Sequence, residues 1–217
     1  ISTGYNLLNV DCRLGSIKEI VEALKEKAAD LSPDQWVIGW GLDEAKIAER
    51  RLPNVQDLAE IPNPVYVTRF CLHTACVNQK ALHIADVTSS TKEPDGGEIL
   101  RFDNGEPNGI LREKAMDLVK NSMPPKSLAE TKKAILTADQ EYLASGLTSV
   151  HEAGIGFFTG SFDEFRAFTE LSINGELNVS VYGMILDEYF PKIKDIGLPF
   201  GFGNNKFKLA GLKLFSD

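Results

Sequence analysis

The sequence contains little histidine and little cysteine, and it has no excess of positive charge. Its 217 residues include three histidines and three cysteines, and its formal net charge is -8 at pH 7. Acidic and basic residues are interspersed, so no segment offers the positive field that nucleic acid or an anionic membrane surface requires. We therefore expect neither a nucleic-acid partner nor a membrane partner.

The cysteine pattern excludes a disulfide framework. Cys12, Cys71 and Cys76 are odd in number, and the close pair has a C-x4-C spacing that fits no common zinc motif. Buried free thiols indicate a reducing compartment, so the sequence predicts a cytoplasmic protein. The longest apolar runs, such as residues 179–186, are far shorter than the roughly 18 residues that span a bilayer, and we expect no signal peptide in the opening residues.

Several catalytic motifs are absent as well. The histidines stand at positions 73, 83 and 151 without an H-x-H pair, so the chain cannot assemble a histidine-rich zinc site by itself. The sequence has no G-x-S-x-G, no P-loop and no strand-linked G-x-G-x-x-G. Any metal site must take further ligands from outside these residues.

What the sequence does contain is a globular α/β pattern, with 43% hydrophobic residues. Residues up to Pro124 read as an irregular α+β module, with a helix after Ser16, strands at 36–41 and 65–69, and an Asn-Gly hairpin at 96–111. After that point a long helix follows Ser127, and strands at 147–151, 179–186 and 207–215 alternate with helices at 162–173 and 189–196. This alternation predicts βαβ units, a parallel sheet and a barrel-type domain.

Lys213 is the leading candidate for chemistry. It lies in the apolar run Gly211-Leu212-Lys213-Leu214-Phe215, where alternation puts Leu212 and Leu214 on one face of the strand and Lys213 on the other. A solvated lysine on an edge strand is one interpretation. The other is a reactive lysine, either a metal ligand after carboxylation or a Schiff-base nucleophile.

Other candidates follow the predicted strands. Asp217 is either a ligand-orienting carboxylate or a helix N-cap. The pair His151-Glu152 ends a predicted strand, at the mouth of a barrel, and the alternative is a histidine held by a hydrogen bond in the core. His73 follows a predicted strand, and Asn78 is favoured as the N-cap of the next helix. Because the chain stops four residues after Lys213, we expect it to be a piece of a larger catalytic domain.

Six segments in order resemble one family, the metal-dependent amidohydrolases of the amidohydrolase-3 type. This family includes YtcJ-like proteins, N-substituted formamide deformylases and proteins labelled exoenzyme regulatory protein AepA. The matching segments cover almost the whole chain and are residues 36–44, 73–82, 94–99, 108–115, 146–154 and 211–217.

The resemblance implies a (β/α)8 TIM barrel. Residues 126–217 would carry barrel strands two to four, and residues 1–125 would be mostly an α+β insertion between strands one and two. It implies Lys213 as the metal-binding lysine, in the form of a carbamate, and His73, Asn78, His151, Glu152 and Asp217 as candidates for the substrate pocket. The sequence departs from the family pattern at Glu152, where aspartate is usual, and at Cys71-Leu72, where Asp-Gly is frequent.

The function implied is metal-dependent hydrolysis of a C–N bond in a small amide, formamide or cyclic amide, with zinc as the expected metal in the intact protein. The resemblance also implies further metal ligands and catalytic residues on later strands outside this chain, so we expect the chain alone to hold an incomplete metal site and to be inactive. The alternatives are a non-catalytic regulatory or binding module derived from the same fold, and a fragment that forms a homo-oligomer through an open sheet edge.

Overall fold

The computed structural model describes residues 1–215 as two compact units. We call residues 9–124 the six-stranded unit, and residues 1–8 together with 125–215 the parallel-sheet unit. Among the described residues, no helix combines the length and the apolar character needed to cross a membrane. Asp217, a candidate from the sequence, lies outside the described residues.

The six-stranded unit is built on one mixed sheet. Its strands are β1 (Val10–Asp11), β2 (Val37–Leu42), β3 (Val65–Arg69), β4 (Thr74–Val77), β5 (Gly97–Arg101) and β6 (Pro107–Glu113). They lie in the order β1-β2-β3-β4-β6-β5. β1, β2 and β3 run parallel, whereas β4, β6 and β5 pair antiparallel. The β5–β6 pair confirms the hairpin predicted from Asn104-Gly105.

The helices of this unit are α2 (Ile17–Ala29), α3 (Gln79–Ile84) and α4 (Met116–Lys120). The first helix of the chain, α1 (Ser2–Leu8), belongs to the parallel-sheet unit. The helix predicted after Ser16 is confirmed, because the Ser16 side chain caps α2 by accepting the Glu19 N–H. The α3 helix follows Asn78, whose side chain accepts the Ala81 N–H, as predicted. The unit buries two apolar clusters, one around Leu24 and one around Leu111.

The parallel-sheet unit confirms the predicted βαβ pattern. Its strands are β7 (Ser149–Ile155), β8 (Ser180–Leu186) and β9 (Phe207–Lys213), and its helices after α1 are α5 (Leu128–Ala144), α6 (Asp163–Ile173) and α7 (Phe190–Asp195), the last preceded by a 3-10 turn. The three strands pair in parallel in the order β7-β8-β9. α5 begins with a capping box between Ser127 and Glu130, which satisfies two backbone N–H groups at the helix start.

One face of the parallel sheet packs on these helices. Val181, Ile185 and Phe207 join Phe168 of α6 and Ile193 of α7 in a single buried cluster. We call the opposite side the open face, because alternate residues there, including His151 and Tyr182, are exposed. The unit is therefore a three-stranded parallel α/β layer with one face covered by its own helices.

Candidate functional site

Lys213 is the last residue of β9 and lies at the carboxyl end of the parallel sheet. It is in register with Leu186, the last residue of β8. Strict alternation from the buried Leu209 would put Lys213 on the covered face, but the pairing with β8 is irregular between Leu209 and Gly211. Beyond this irregularity Leu212 packs against the buried cluster, so alternation puts Lys213 on the open face. The Lys213 Nζ atom lies 4.8 Å from the centroid of the Phe215 ring. Reactive side chains of α/β barrels occupy this end of their strands.

Around Lys213 the described residues offer no complete metal site, and Lys213 itself is the one metal ligand predicted there. Within residues 1–215 its ammonium forms no ion pair with a carboxylate, so its amine is not committed to a structural contact of that kind. The same described residues contain no group of three or more His, Cys, Asp or Glu side chains that could hold a metal ion. The metal-binding role of Lys213 as a carbamate stays a prediction.

His151 lies inside its strand, and the prediction that it ends the strand is wrong. β7 continues to Ile155 because residues 152–155 extend the pairing with β8. His151 is in register with Tyr182 on the open face, and their ring centroids are 5.6 Å apart. Tyr182 and Leu186, the register partners of His151 and Lys213, are four residues apart on β8. The positions of His151 and Lys213 are therefore about 13 Å apart along the strand direction.

Glu152 points away from the open face. It pairs in register with Gly183, and its Oε2 atom accepts a hydrogen bond from the Ile1 nitrogen at 2.7 Å. The small cavity beside it has a volume of about 30 Å³ and is bordered by Asp139 and Tyr142 of α5. A volume of this size admits water and not an amide substrate.

Three aromatic side chains cluster at the same end of the sheet as Lys213. Phe157 follows β7, and its ring centroid lies 5.4 Å from that of Phe158 and 6.2 Å from that of Phe215. The exposed fractions of Phe157, Phe158 and Phe215 are 58%, 40% and 60%. These three exposed rings belong to one loop and one strand end, and the Phe215 ring lies beside Lys213.

A buried carboxylate holds the loop that bears two of these rings. Glu164, in the first turn of α6, is 0% exposed and accepts hydrogen bonds from the backbone N–H groups of Gly156 and Thr159, both at 2.6 Å. Burial raises the pKa of the Glu164 carboxyl above its ordinary value, and the two backbone donors offset this only in part. Glu164 was not among the residues predicted from the sequence, although Gly154-Ile155-Gly156 followed by two phenylalanines is a visible signal.

His73 belongs to the six-stranded unit, where it pairs with Glu113. The His73 Nδ1 atom lies 2.9 Å from Glu113 Oε2, and both side chains are exposed. Leu72 and Glu113 both have left-handed backbone conformations, with φ values of 66° and 49°, which are unfavourable for residues other than glycine. A carboxylate that orients an imidazole is a frequent arrangement at functional sites, but within residues 1–215 no third side chain completes a metal cluster here.

Cys71 lies next to this pair. The Arg69 guanidinium donates to Cys71 Sγ at 3.1 Å and to Glu44 Oε2 at 2.7 Å. Burial raises the pKa of the Cys71 thiol, but the His73 backbone N–H and the Arg69 guanidinium outweigh burial, so the pKa lies below its ordinary value. Cys12 and Cys76 are buried free thiols with raised pKa values.

Asn78 is buried, and its side chain is fully engaged in structural contacts. Its Oδ1 atom accepts from the N–H groups of Val65 and Ala81, and its Nδ2 group donates to the carbonyls of Ile61 and Asn63. The N-cap prediction is therefore confirmed. Its predicted place in the substrate pocket stays a prediction, as do those of His73, His151 and Glu152.

Comparison with known proteins gives the family. The model of the amidohydrolase family matches residues 1–217. The chain is 31% identical over 179 residues to the putative amidohydrolase YtcJ of Bacillus subtilis, covering 81% of this chain and 34% of that protein. It is 30% identical over 154 residues to an N-substituted formamide deformylase of Arthrobacter pascens, covering 67% of this chain and 28% of that protein.

A solved structure agrees with these matches. An uncharacterized metal-dependent hydrolase from Pyrococcus horikoshii superimposes with a TM-score of 0.72 at 26% identity, covering 100% of this chain and 40% of that one. The chain thus spans about a third of the length of the curated relatives that it matches. Since the family model matches every residue, this chain belongs to the amidohydrolase family.

Proposed function

We propose that this chain is the central part of a metal-dependent hydrolase that cleaves C–N bonds other than peptide bonds, in a small amide, formamide or cyclic amide. The observation that carries the proposal is Lys213, which lies at the carboxyl end of the third parallel strand, on the open face and without a carboxylate partner in residues 1–215. Relatives named as an amidohydrolase and a formamide deformylase support the bond type.

The open sheet supports a partial (β/α)8 barrel. Parallel sheets are normally covered on both faces, whereas this one has an open face and, among residues 1–215, two unpaired edges at β7 and β9. In this proposal β7, β8 and β9 are barrel strands two, three and four, and residues up to 125 are mostly an insertion. The compact units support this division, with the modification that residues 1–8 pack with the parallel sheet.

Lys213 acts in the proposed site as a carbamate. The ammonium first loses a proton, and the neutral amine then attacks carbon dioxide: the C–N bond forms at Nζ as one C=O π bond opens, and a second proton is released. The cation thus becomes a carbamate whose single negative charge is shared by two oxygens. Those oxygens would hold a divalent metal, with zinc as the metal we propose, and the metal would supply polarisation of the substrate carbonyl and activation of water. The role of this chain is then to hold the metal at one position and to border the substrate, and we propose that the chain alone is inactive.

The test uses the full-length protein encoded by the reading frame that contains this chain. With zinc and bicarbonate we expect hydrolysis of a formamide panel, and with ¹³C-bicarbonate we expect a carbamate carbon resonance that is absent in Lys213→Ala. Lys208→Ala, a lysine on the same strand, is the matched control and should retain both the resonance and activity. Activity of Lys213→Ala equal to that of the unchanged protein would refute the role of Lys213, and absence of any C–N hydrolysis would favour a regulatory or binding module.

A further inference from the structure

A groove on the six-stranded unit combines an apolar floor with two side-chain amides whose N–H₂ groups donate to no acceptor within residues 1–215. We propose that this groove binds a small neutral molecule that has an apolar body and a carbonyl oxygen, and that Asn54 and Asn108 donate to that oxygen. The groove is built only from residues of the six-stranded unit, and the inference does not depend on the function proposed above.

The floor of the groove belongs to the sheet face that also packs against α2. Ile110 of β6 and Leu100 of β5 pack in the apolar cluster around Leu24 of α2. Leu100 and Leu52 are only partly buried, and with Ile110 they line a space of about 370 Å³. Small-molecule sites have volumes of about 300–1,000 Å³ and mostly apolar linings with a few polar groups. The groove therefore has the size and the lining of a site for a small molecule.

Two oriented amides stand side by side at one end of the groove. Asn54 lies beside Asn108, because the Val55 N–H donates to the Asn108 carbonyl at 2.9 Å. Asn54 Oδ1 accepts the Gln56 N–H at 2.9 Å, and Asn108 Oδ1 accepts the Ile110 N–H at 3.0 Å. These backbone donors fix which side of each amide carries the oxygen. Both Nδ2 groups are thus left as donors, and a carbonyl oxygen is the acceptor that fits them.

The charges around the groove cancel. The charged side chains that line it form ion pairs with N···O distances between 2.6 and 2.8 Å, and these pairs are Arg51–Asp57, Arg112–Glu98 and Glu44–Arg69. A charged ligand would lose hydration without meeting an opposite net charge, which is unfavourable. A neutral ligand avoids this cost, so the groove should select against both carboxylates and amines.

The rim of the groove favours a small molecule over a protein surface. The side chains of Arg51 and Arg112 are 49% and 46% exposed, so their ion pairs are largely hydrated. A protein that covered the groove would bury these pairs, and the loss of hydration can exceed the attraction between the charges. A molecule that fills only the groove leaves the rim in water. Asn108 and Arg112 are four residues apart on β6, so the lining spans about 13 Å along the strand.

The primary experiment compares probes of similar shape and different charge on the full-length protein. Ligand-observed NMR titrations use cyclohexyl methyl ketone, cyclohexanecarboxylate and cyclohexylmethylammonium, with acetone as a ketone that lacks the apolar body. We expect the Kd of cyclohexyl methyl ketone to be at least about tenfold lower than that of each other compound. Absence of ketone binding, or tighter binding of a charged probe or of acetone, would overturn the proposal.

Asn108→Asp tests the donor. Aspartate keeps the oxygen that accepts the Ile110 N–H but replaces Nδ2 by a second oxygen, so the ketone carbonyl would face an acceptor. We expect Asn108→Asp and Asn54→Asp each to weaken ketone binding on the order of tenfold. Asn104→Asp is the matched control, because Asn104 Oδ1 also accepts a backbone N–H, that of Glu106 at 3.1 Å, but Asn104 does not line the groove. Equal affinity in all three variants would overturn the role of the amides.

Lys213→Ala separates this site from the proposed reaction. We expect Lys213→Ala to bind cyclohexyl methyl ketone with the Kd of the unchanged protein, whether or not the protein hydrolyses any amide. Loss of ketone binding in Lys213→Ala together with unchanged binding in Asn108→Asp would place the ketone at the lysine and overturn the inference. The comparison of probes needs no substitution, so it decides the question even where a variant fails to fold.

Discussion

Substitution of Asn78 by alanine should destabilise the six-stranded unit strongly. The Asn78 side chain accepts two hydrogen bonds, from Val65 N at 3.1 Å and Ala81 N at 3.0 Å. It donates two more, to Asn63 O at 2.8 Å and Ile61 O at 3.3 Å. Loss of an N-cap costs about 1 kcal/mol, and each of the other three buried groups costs about 1 kcal/mol more when left unpaired. We therefore expect the free energy of unfolding to fall by about 3–5 kcal/mol.

Urea unfolding followed by circular dichroism measures this change. With a slope of about 2 kcal/mol per molar urea, the midpoint should fall by about 2 M. Asn121→Ala is the matched control, because Asn121 is exposed at the end of α4 and its loss should change stability by at most about 0.5 kcal/mol. The chain has two compact units, so the transition of the parallel-sheet unit serves as an internal reference.

The isosteric variant Asn78→Asp sharpens the test. Aspartate keeps the acceptor oxygen for Val65 and Ala81 but turns an oxygen toward the carbonyls of Ile61 and Asn63, so it should destabilise nearly as much as alanine does. A loss below about 1 kcal/mol in both variants would refute the reasoning. Reduced hydrolysis by full-length protein with unchanged stability would point to a substrate contact at Asn78 instead.

Three other contacts can be tested in similar ways. Iodoacetamide should modify Cys71 ahead of the two buried cysteines in the native protein, with a pH midpoint below the ordinary thiol value, and Arg69→Gln should raise that midpoint; an unchanged midpoint would exclude the guanidinium as a cause. Asp139→Asn should cost about 2–4 kcal/mol in urea unfolding, because this buried carboxylate accepts the backbone N–H groups of Asn178 and Val179, just before β8, and a cost below about 0.5 kcal/mol would contradict the structure. Gly156→Ala should cost about 3 kcal/mol and Gly146→Ala only about 1 kcal/mol, since both have positive φ but only the first lacks space for a Cβ; equal losses would show that crowding is not the cause.

Elements with local signals were predictable from the sequence. Ser16 and Ser127 cap the helices that they were expected to start, and Asn104-Gly105 turns the hairpin. Each of these depends on residues within one or two turns of the chain. The order of the strands in the six-stranded sheet was not predictable in this way, because β1-β2-β3-β4-β6-β5 depends on pairing between distant segments.

Errors arose where tertiary pairing overrides local preference. Residues 152–155 contain Glu, Ala and Gly, which have low strand propensity, yet pairing with β8 extends β7 to Ile155. The helix α1 and the short strands β1 and β4 were also missed, since two to seven residues carry too little periodicity. The candidate site shows the same limit: His73 and Glu113 meet across 40 positions of sequence, and the burial of Glu164 appears only when α6 packs on the sheet.

The polar candidates differ in whether their side chains already have hydrogen-bond or ion-pair partners within the fold. Asn78, Asp139 and Glu164 are buried, and backbone groups take up their side-chain acceptors, so these side chains already have a full structural role. Lys213 is only half-buried and forms no ion pair within residues 1–215. Glu164 and Lys213 therefore differ: the carboxylate fixes the loop after β7, whereas the lysine has no carboxylate partner within the described residues.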